Sequence, residues 1–62
     1  PDAYACPITR ELMEDPVFCS DGHTYERRAI SQWLAHHETS PKTGLALDHK
    51  HLTPNFAIRS AI

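Results

Sequence analysis

No apolar run in this 62-residue chain is long enough to cross a membrane, so no membrane partner is expected. Cysteine is scarce. Cys6 and Cys19 allow at most one disulfide, too few for a secreted disulfide scaffold. A reducing, intracellular setting is expected, cytoplasmic or nuclear. Neither charge dominates: Lys and Arg total 6, Asp and Glu total 8, and the net charge is −2. With no basic stripe, nucleic acid is not an expected partner. Repeats, low-complexity tracts and an internal linker are also missing. Residues 1–62 therefore read as one small domain. Its start at Pro1 rather than methionine suggests a domain excised from a longer protein. A chain this short buries roughly 60% of its unfolded surface, so its core is marginal and needs reinforcement. Five histidines make metal the first reinforcement to consider.

Residues 1–5 read as a frayed lead-in. Cys6-Pro7-Ile8-Thr9 is a loop, because Pro7 fixes its own φ and pushes Cys6 to an extended conformation. Residues 9–13 suit one helical turn, with Leu12 and Met13 as core contacts. Val17-Phe18-Cys19 is a short β-rich run. The turn Ser20-Asp21-Gly22 joins it to His23-Thr24-Tyr25 as a hairpin. Residues 26–36 form the main helix, with Thr24 as a cap and Glu26 in its first turn. Ala29, Ile30, Trp33 and Leu34 make its single apolar stripe. Residues 40–44 are turn-rich, and Leu45 and Leu47 suit a third strand. Residues 48–51 are a solvated connection. Asn55 caps a terminal helix over 56–62, in which Ile58 and Ile62 share a face.

The polar residues have a second rhythm. Cys6-x-x-Thr9, Asp21-x-His23, Glu26-x-x-Ala29 and Ser40-x-x-Thr43 mark the eight ligand positions of a zinc cross-brace of the RING type. Cys6 and His23 are good zinc ligands and Asp21 is acceptable, but Thr9, Ala29, Ser40 and Thr43 are not. Four donors cannot be assembled, so no metal is expected. Most of the replacements can hydrogen-bond instead. Thr9, Asp21, His23, Glu26, Arg27, Ser40 and Thr43 are the expected members of a hydrogen-bond and ion-pair brace, with Arg27 or Arg28 pairing a carboxylate. Singly, Asp21, Ser40 and Thr43 are ordinary turn residues. Their joint spacing makes the argument.

The chain closely resembles the U-box, the zinc-free relative of the RING finger in ubiquitin ligases. The matching text is Cys6-Pro7-Ile8-Thr9, Glu11-Leu12-Met13-x-Asp15-Pro16-Val17, Asp21-Gly22-His23-Thr24-Tyr25-Glu26-Arg27, Ala29-Ile30-x-x-Trp33-Leu34, Ser40-Pro41-x-Thr43 and Leu52-Thr53-Pro54-Asn55. The resemblance spans about residue 4 to residue 62. It implies a small α+β, RING-like fold without zinc: a short hairpin or three-stranded sheet, a central helix, two long loops and a C-terminal helix.

The resemblance also implies a groove for a ubiquitin-charged conjugating enzyme. Carried over by position, Ile8 comes from the first loop, Trp33 from the helix and Pro41 from the second loop, with Arg10 and Lys42 flanking. Pro7, Ile8 and Pro41 do place apolar groups in polar loops. Trp33 lies on the apolar stripe, so core burial alone also accounts for it. Ile8 suits a cap on the core, and Pro41 suits a turn. The implied activity is that of a ubiquitin-protein ligase, which promotes transfer from the enzyme's thioester to a substrate lysine with no covalent intermediate, catalytic side chain or cofactor of its own. Protein substrates would be chosen by other domains. Cys6 is a poor nucleophile, since no histidine adjoins it in sequence. His36, His37, His49 and His51 read as solvated polar residues. Many such domains carry a basic residue where this chain has Gly44, which leaves a non-catalytic interaction or dimerisation module as the alternative. A homodimer also stays open.

Overall fold

A computed structural model describes residues 2–62, and Pro1, the first residue of the expected lead-in, lies outside them. The elements are β1 (Pro16–Phe18), β2 (Thr24–Glu26), α1 (Arg27–Leu34), β3 (Thr53–Pro54) and α2 (Phe56–Ala61). They form the expected small α+β fold. All strand pairings are antiparallel, with β1 between β2 and β3.

The hairpin forms where turn chemistry and β propensity coincide. Gly22 takes φ 82°, the left-handed region that glycine enters at no steric cost. The turn closes through Gly22 N–H to Cys19 O and Cys19 N–H to His23 O, both 3.0 Å. Val17 then pairs with Tyr25, and both are fully buried. Helix α1 lays Ala29, Ile30 and Leu34 on this pair, while Cys6, Met13 and Cys19 complete the core. Trp33, Leu47, Leu52 and Ile58 pack around it.

Several local expectations need correction. The lead-in is tied down over residues 2–5: Asp2–Tyr4 form a 3-10 turn, and Tyr4 O accepts from Met13 N–H at 2.9 Å. Residues 9–13 do not make a helical turn. Arg10 takes φ 64°, and Ala5 pairs with Leu12 across a reversed loop. Met13 thereby fills the core, whereas Leu12 is 60% exposed.

The main helix is shorter than residues 26–36. Glu26 stays extended (φ −64°, ψ 128°) because it pairs with Pro16, and a 3-10 bond from His36 N–H to Trp33 O tightens the far end. Thr24 does not cap it. Its hydroxyl accepts from Asn55 Nδ2 at 2.8 Å. Leu45 and Leu47 do not form the third strand. Ser40 N–H donates to Leu45 O and Leu47 N–H to Glu38 O, so this segment folds back on its own loop. Leu45 is 70% exposed. The third strand is Thr53–Pro54, joined to β1.

Asn55 caps α2 as its position predicts, accepting Ile58 N–H at 3.1 Å. It is buried, and its own N–H donates to Pro16 O at 2.9 Å. Asn55→Ala removes the cap and the bond to Thr24 and is expected to cost about 2 kcal/mol. Urea denaturation measures it; an unchanged midpoint would mean that α2 docks without the Asn55 side chain, through packing and the backbone bond to Pro16 O.

Candidate functional site

Two polar clusters hold the two long loops against the hairpin and α1. The first joins residues 6–15 to the start of the helix. The Glu26 carboxylate accepts Glu14 N–H at 2.6 Å and Asp15 N–H at 2.8 Å. Arg27 N–H donates to Asp15 O at 3.0 Å, and Arg27 Nε donates to Asp15 Oδ2 at 2.8 Å. That ion pair is 43% exposed on both sides, so its charge attraction contributes little. The buried Cys6 Sγ accepts from Glu26 N–H at 3.2 Å and from Ile8 N–H at 3.4 Å. A sulfur engaged this way is a packed loop thiol.

The second cluster centres on Asp21. Its Oδ2 accepts the Ser40 hydroxyl at 2.6 Å and the Tyr25 hydroxyl at 2.7 Å, and its Oδ1 accepts His23 N–H at 2.9 Å. Ser40 Oγ in turn accepts Lys42 N–H at 3.1 Å and Thr43 N–H at 3.0 Å. One carboxylate thus ties the hairpin turn to the second loop across nineteen residues. Burial acts to raise the Asp21 pKa, but the bonds from Ser40, Tyr25 and His23 prevail and hold it below its ordinary value. Burial first, and then the bond to Asp21, push the Tyr25 hydroxyl well above its ordinary range. Tyr25 therefore stays a donor.

Not every expected brace residue joins these clusters. Among the described residues, Thr9 Oγ1 accepts only its neighbour Glu11 N–H, and Thr43 Oγ1 only Leu45 N–H. His23 enters through its backbone, and among the described residues its ring makes no hydrogen bond. Arg27, not Arg28, takes the carboxylate. Tyr25 is a member of the brace that the spacing of polar residues does not mark. A tyrosine on the inward face of a strand needs a partner for its hydroxyl, and that was the available signal.

The braced loops meet at an open cleft of about 520 Å³, lined by Ala5, Cys6, Pro7 and Arg10 from the first and by Pro41 and Lys42 from the second. Ile8 is 37% exposed beside it in sequence. Trp33 is half-buried on α1, its Nε1–H donating to Thr39 O at 2.6 Å. Arg10, Pro41 and Lys42 thus share one cleft. Trp33 does not line it and is instead tied to the strand-like approach to the second loop. The cleft offers apolar contact from prolines and two cations. Among the described residues, no group of three His, Cys, Asp or Glu side chains is placed to hold a metal ion.

A family model described as the U-box domain matches residues 1–62. Over its whole length the chain is 56% identical to U-box domain-containing protein 34 of Arabidopsis thaliana and covers 8% of that protein. It is 54% identical to U-box domain-containing protein 12 of Oryza sativa subsp. japonica, covering 10% of it. It is 51% identical to the WD repeat, SAM and U-box domain-containing protein 1 of Homo sapiens, covering 13%. The chain therefore spans a small fraction of the length of these relatives.

Proposed function

Because this chain belongs to the U-box family, whose general role is that of ubiquitin ligase or adaptor, we propose that it binds a ubiquitin-charged conjugating enzyme and promotes transfer of ubiquitin to a substrate lysine. The supporting observation is the shared cleft. Segments more than thirty residues apart in sequence are braced so that Pro7, Arg10, Pro41 and Lys42 line one surface, with Ile8 exposed at its side.

The lysine amine attacks the thioester carbonyl, and the conjugating enzyme's thiolate leaves. The domain's part is to hold the charged enzyme in a reactive arrangement, an effect of proximity and orientation. Rigid loops suit this task, because little conformational freedom is lost on binding. Substrate choice falls to segments outside this domain.

The test is discharge of charged conjugating enzymes, assayed as a panel. The domain is expected to stimulate at least one, and Ile8→Ala to lower that stimulation at least about tenfold, the effect of an interface hot spot, with an almost unchanged melting temperature. Loss of folding in Ile8→Ala would instead make Ile8 a core residue. No stimulation and no binding across the panel would favour the adaptor reading. Gly44 is the observation behind that second reading. It occupies the position where many of these domains are basic, and its φ of 76° makes an arginine there strained.

A further inference from the structure

Trp33 is the chain's single tryptophan, and one face of its indole is covered. The His37 ring lies on it with centroids 3.7 Å apart and planes 10° from parallel. His37 lies beyond the end of α1, where the chain turns back after Ala35 and His36 and brings its ring over Trp33. Its Nδ1 sits 3.1 Å from Trp33 O. A carbonyl oxygen only accepts, so Nδ1 carries the proton and the contact fixes the tautomer. His37 is exposed and has no part in the core or in either brace.

We propose that His37 is a positioning residue for Trp33: it clamps the indole in the orientation presented to the conjugating enzyme. The clamp has two restraints on the ring and one on the clamp. Trp33 Nε1–H to Thr39 O fixes one edge of the indole. The imidazole covers one face. The bond from Nδ1 to Trp33 O stops the imidazole from swinging into solvent. A tryptophan has only two side-chain torsions, so an edge and a face together define its pose. Without His37, only the hydrogen bond at one edge and the packing of the ring's inner side against the core hold a half-buried indole, and the freedom regained on its outer side would have to be lost again on binding. The inference rests on the proposed function and on the family resemblance's implication that Trp33, outside the cleft, touches the conjugating enzyme, but the clamp itself can be observed without any enzyme.

Trp33 alone supplies the tryptophan emission, so time-resolved anisotropy reads one ring. In the unaltered domain the indole is expected to turn only with the whole molecule. His37→Ala is expected to add a fast local component, raise accessibility to acrylamide and lower the stimulation of discharge about three- to tenfold, the range of one aromatic contact, at an unchanged melting temperature. His37→Phe keeps the stacked face and is expected to restore both the anisotropy and the activity in large part. Unchanged anisotropy in His37→Ala overturns the clamp. A freed ring with full discharge, while Ile8→Ala still lowers it about tenfold, overturns the positioning role and leaves the functional reading standing. Normal discharge in Ile8→Ala removes Ile8 from the contact surface and leaves the functional reading standing; no stimulation by the unaltered domain across the panel sinks that reading instead, and the anisotropy then decides the clamp by itself.

Discussion

Asp21→Ala is expected to unfold most of the domain at room temperature. The substitution removes the common acceptor of the Tyr25 hydroxyl, the Ser40 hydroxyl and the His23 amide. Tyr25 and Ser40 are buried, so water cannot easily take the carboxylate's place. Two orphaned buried donors and a lost charge-assisted bond together cost about 3–5 kcal/mol. A domain of this size has about that much stability in total. Circular dichroism and a urea titration check the result, and a cooperative transition near the unaltered midpoint would show that the second loop stands without this brace. Asp21→Asn is the milder variant. Its amide places a donor against donors on one side, so an intermediate loss is expected.

The same carboxylate gives stability a pH dependence of definite sign. The Asp21 pKa in the folded state is below its ordinary 3.8, where burial is outweighed by the bonds from Ser40, Tyr25 and His23. Its contribution is therefore complete above the unfolded-state value and is lost as pH falls through the folded value. Denaturation midpoints should hold between neutrality and about pH 5 as far as this group is concerned, then fall in strong acid. In Asp21→Asn that acid component should shrink. An equal acid loss in both proteins would assign it to other carboxylates.

Glu26→Ala is expected to loosen the first loop without dissolving the fold. Glu26 accepts the Glu14 and Asp15 amides, which have no comparable bond elsewhere among the described residues. Glu14 is exposed and Asp15 half-buried, so water can replace part of what is lost. The expected cost is about 2–3 kcal/mol, below that of Asp21→Ala for this reason. The more specific sign is local. Amide exchange should speed at Glu14 and Asp15 more than in α1, and stimulation of discharge should drop further than the fraction unfolded explains. Glu26→Gln keeps one acceptor and should fall between. Exchange that rises uniformly over the whole chain would mean that Glu26 supports global stability and not the loop.

The two variants separate because the braces cross over. The first loop is tied to the start of α1, and the second loop is tied back to the hairpin turn that precedes α1. The segment from Asp21 to Arg27 carries the anchor of both. It shapes the cleft and contributes no residue to it.

Much of this was legible in residue types and spacing. The Asp21-Gly22 turn, the apolar stripe of α1 and the Asn55 cap depend on neighbours within about four residues, so local patterns reveal them. The eight cross-brace positions and the U-box text carried the architecture. Hydrogen-bonding capacity at those positions was also readable, because it is a property of each side chain. Partner choice was not. Thr9 and Thr43 have the same capacity as Ser40, yet among the described residues their hydroxyls bond only within their own turns. Ser40 reaches Asp21 because the second loop packs its buried hydroxyl against the hairpin.

Other features were set by contacts between distant segments. A two-residue strand ending in Pro54 has no signal of its own and exists because β1 offers it an edge. Leu12 and Met13 are equally apolar neighbours, and the left-handed turn at Arg10 decides which one faces the core. Tyr25 joined the brace because its strand points it inward at a carboxylate four residues back. His37 read as a solvated residue from sequence, and only the packed end of α1 brings it flat against Trp33. What the chain settles by itself is which groups must find partners. Which partners they find depends on how sheet, helix and loops pack, since burial alone makes an unpaired polar group costly enough to choose among them.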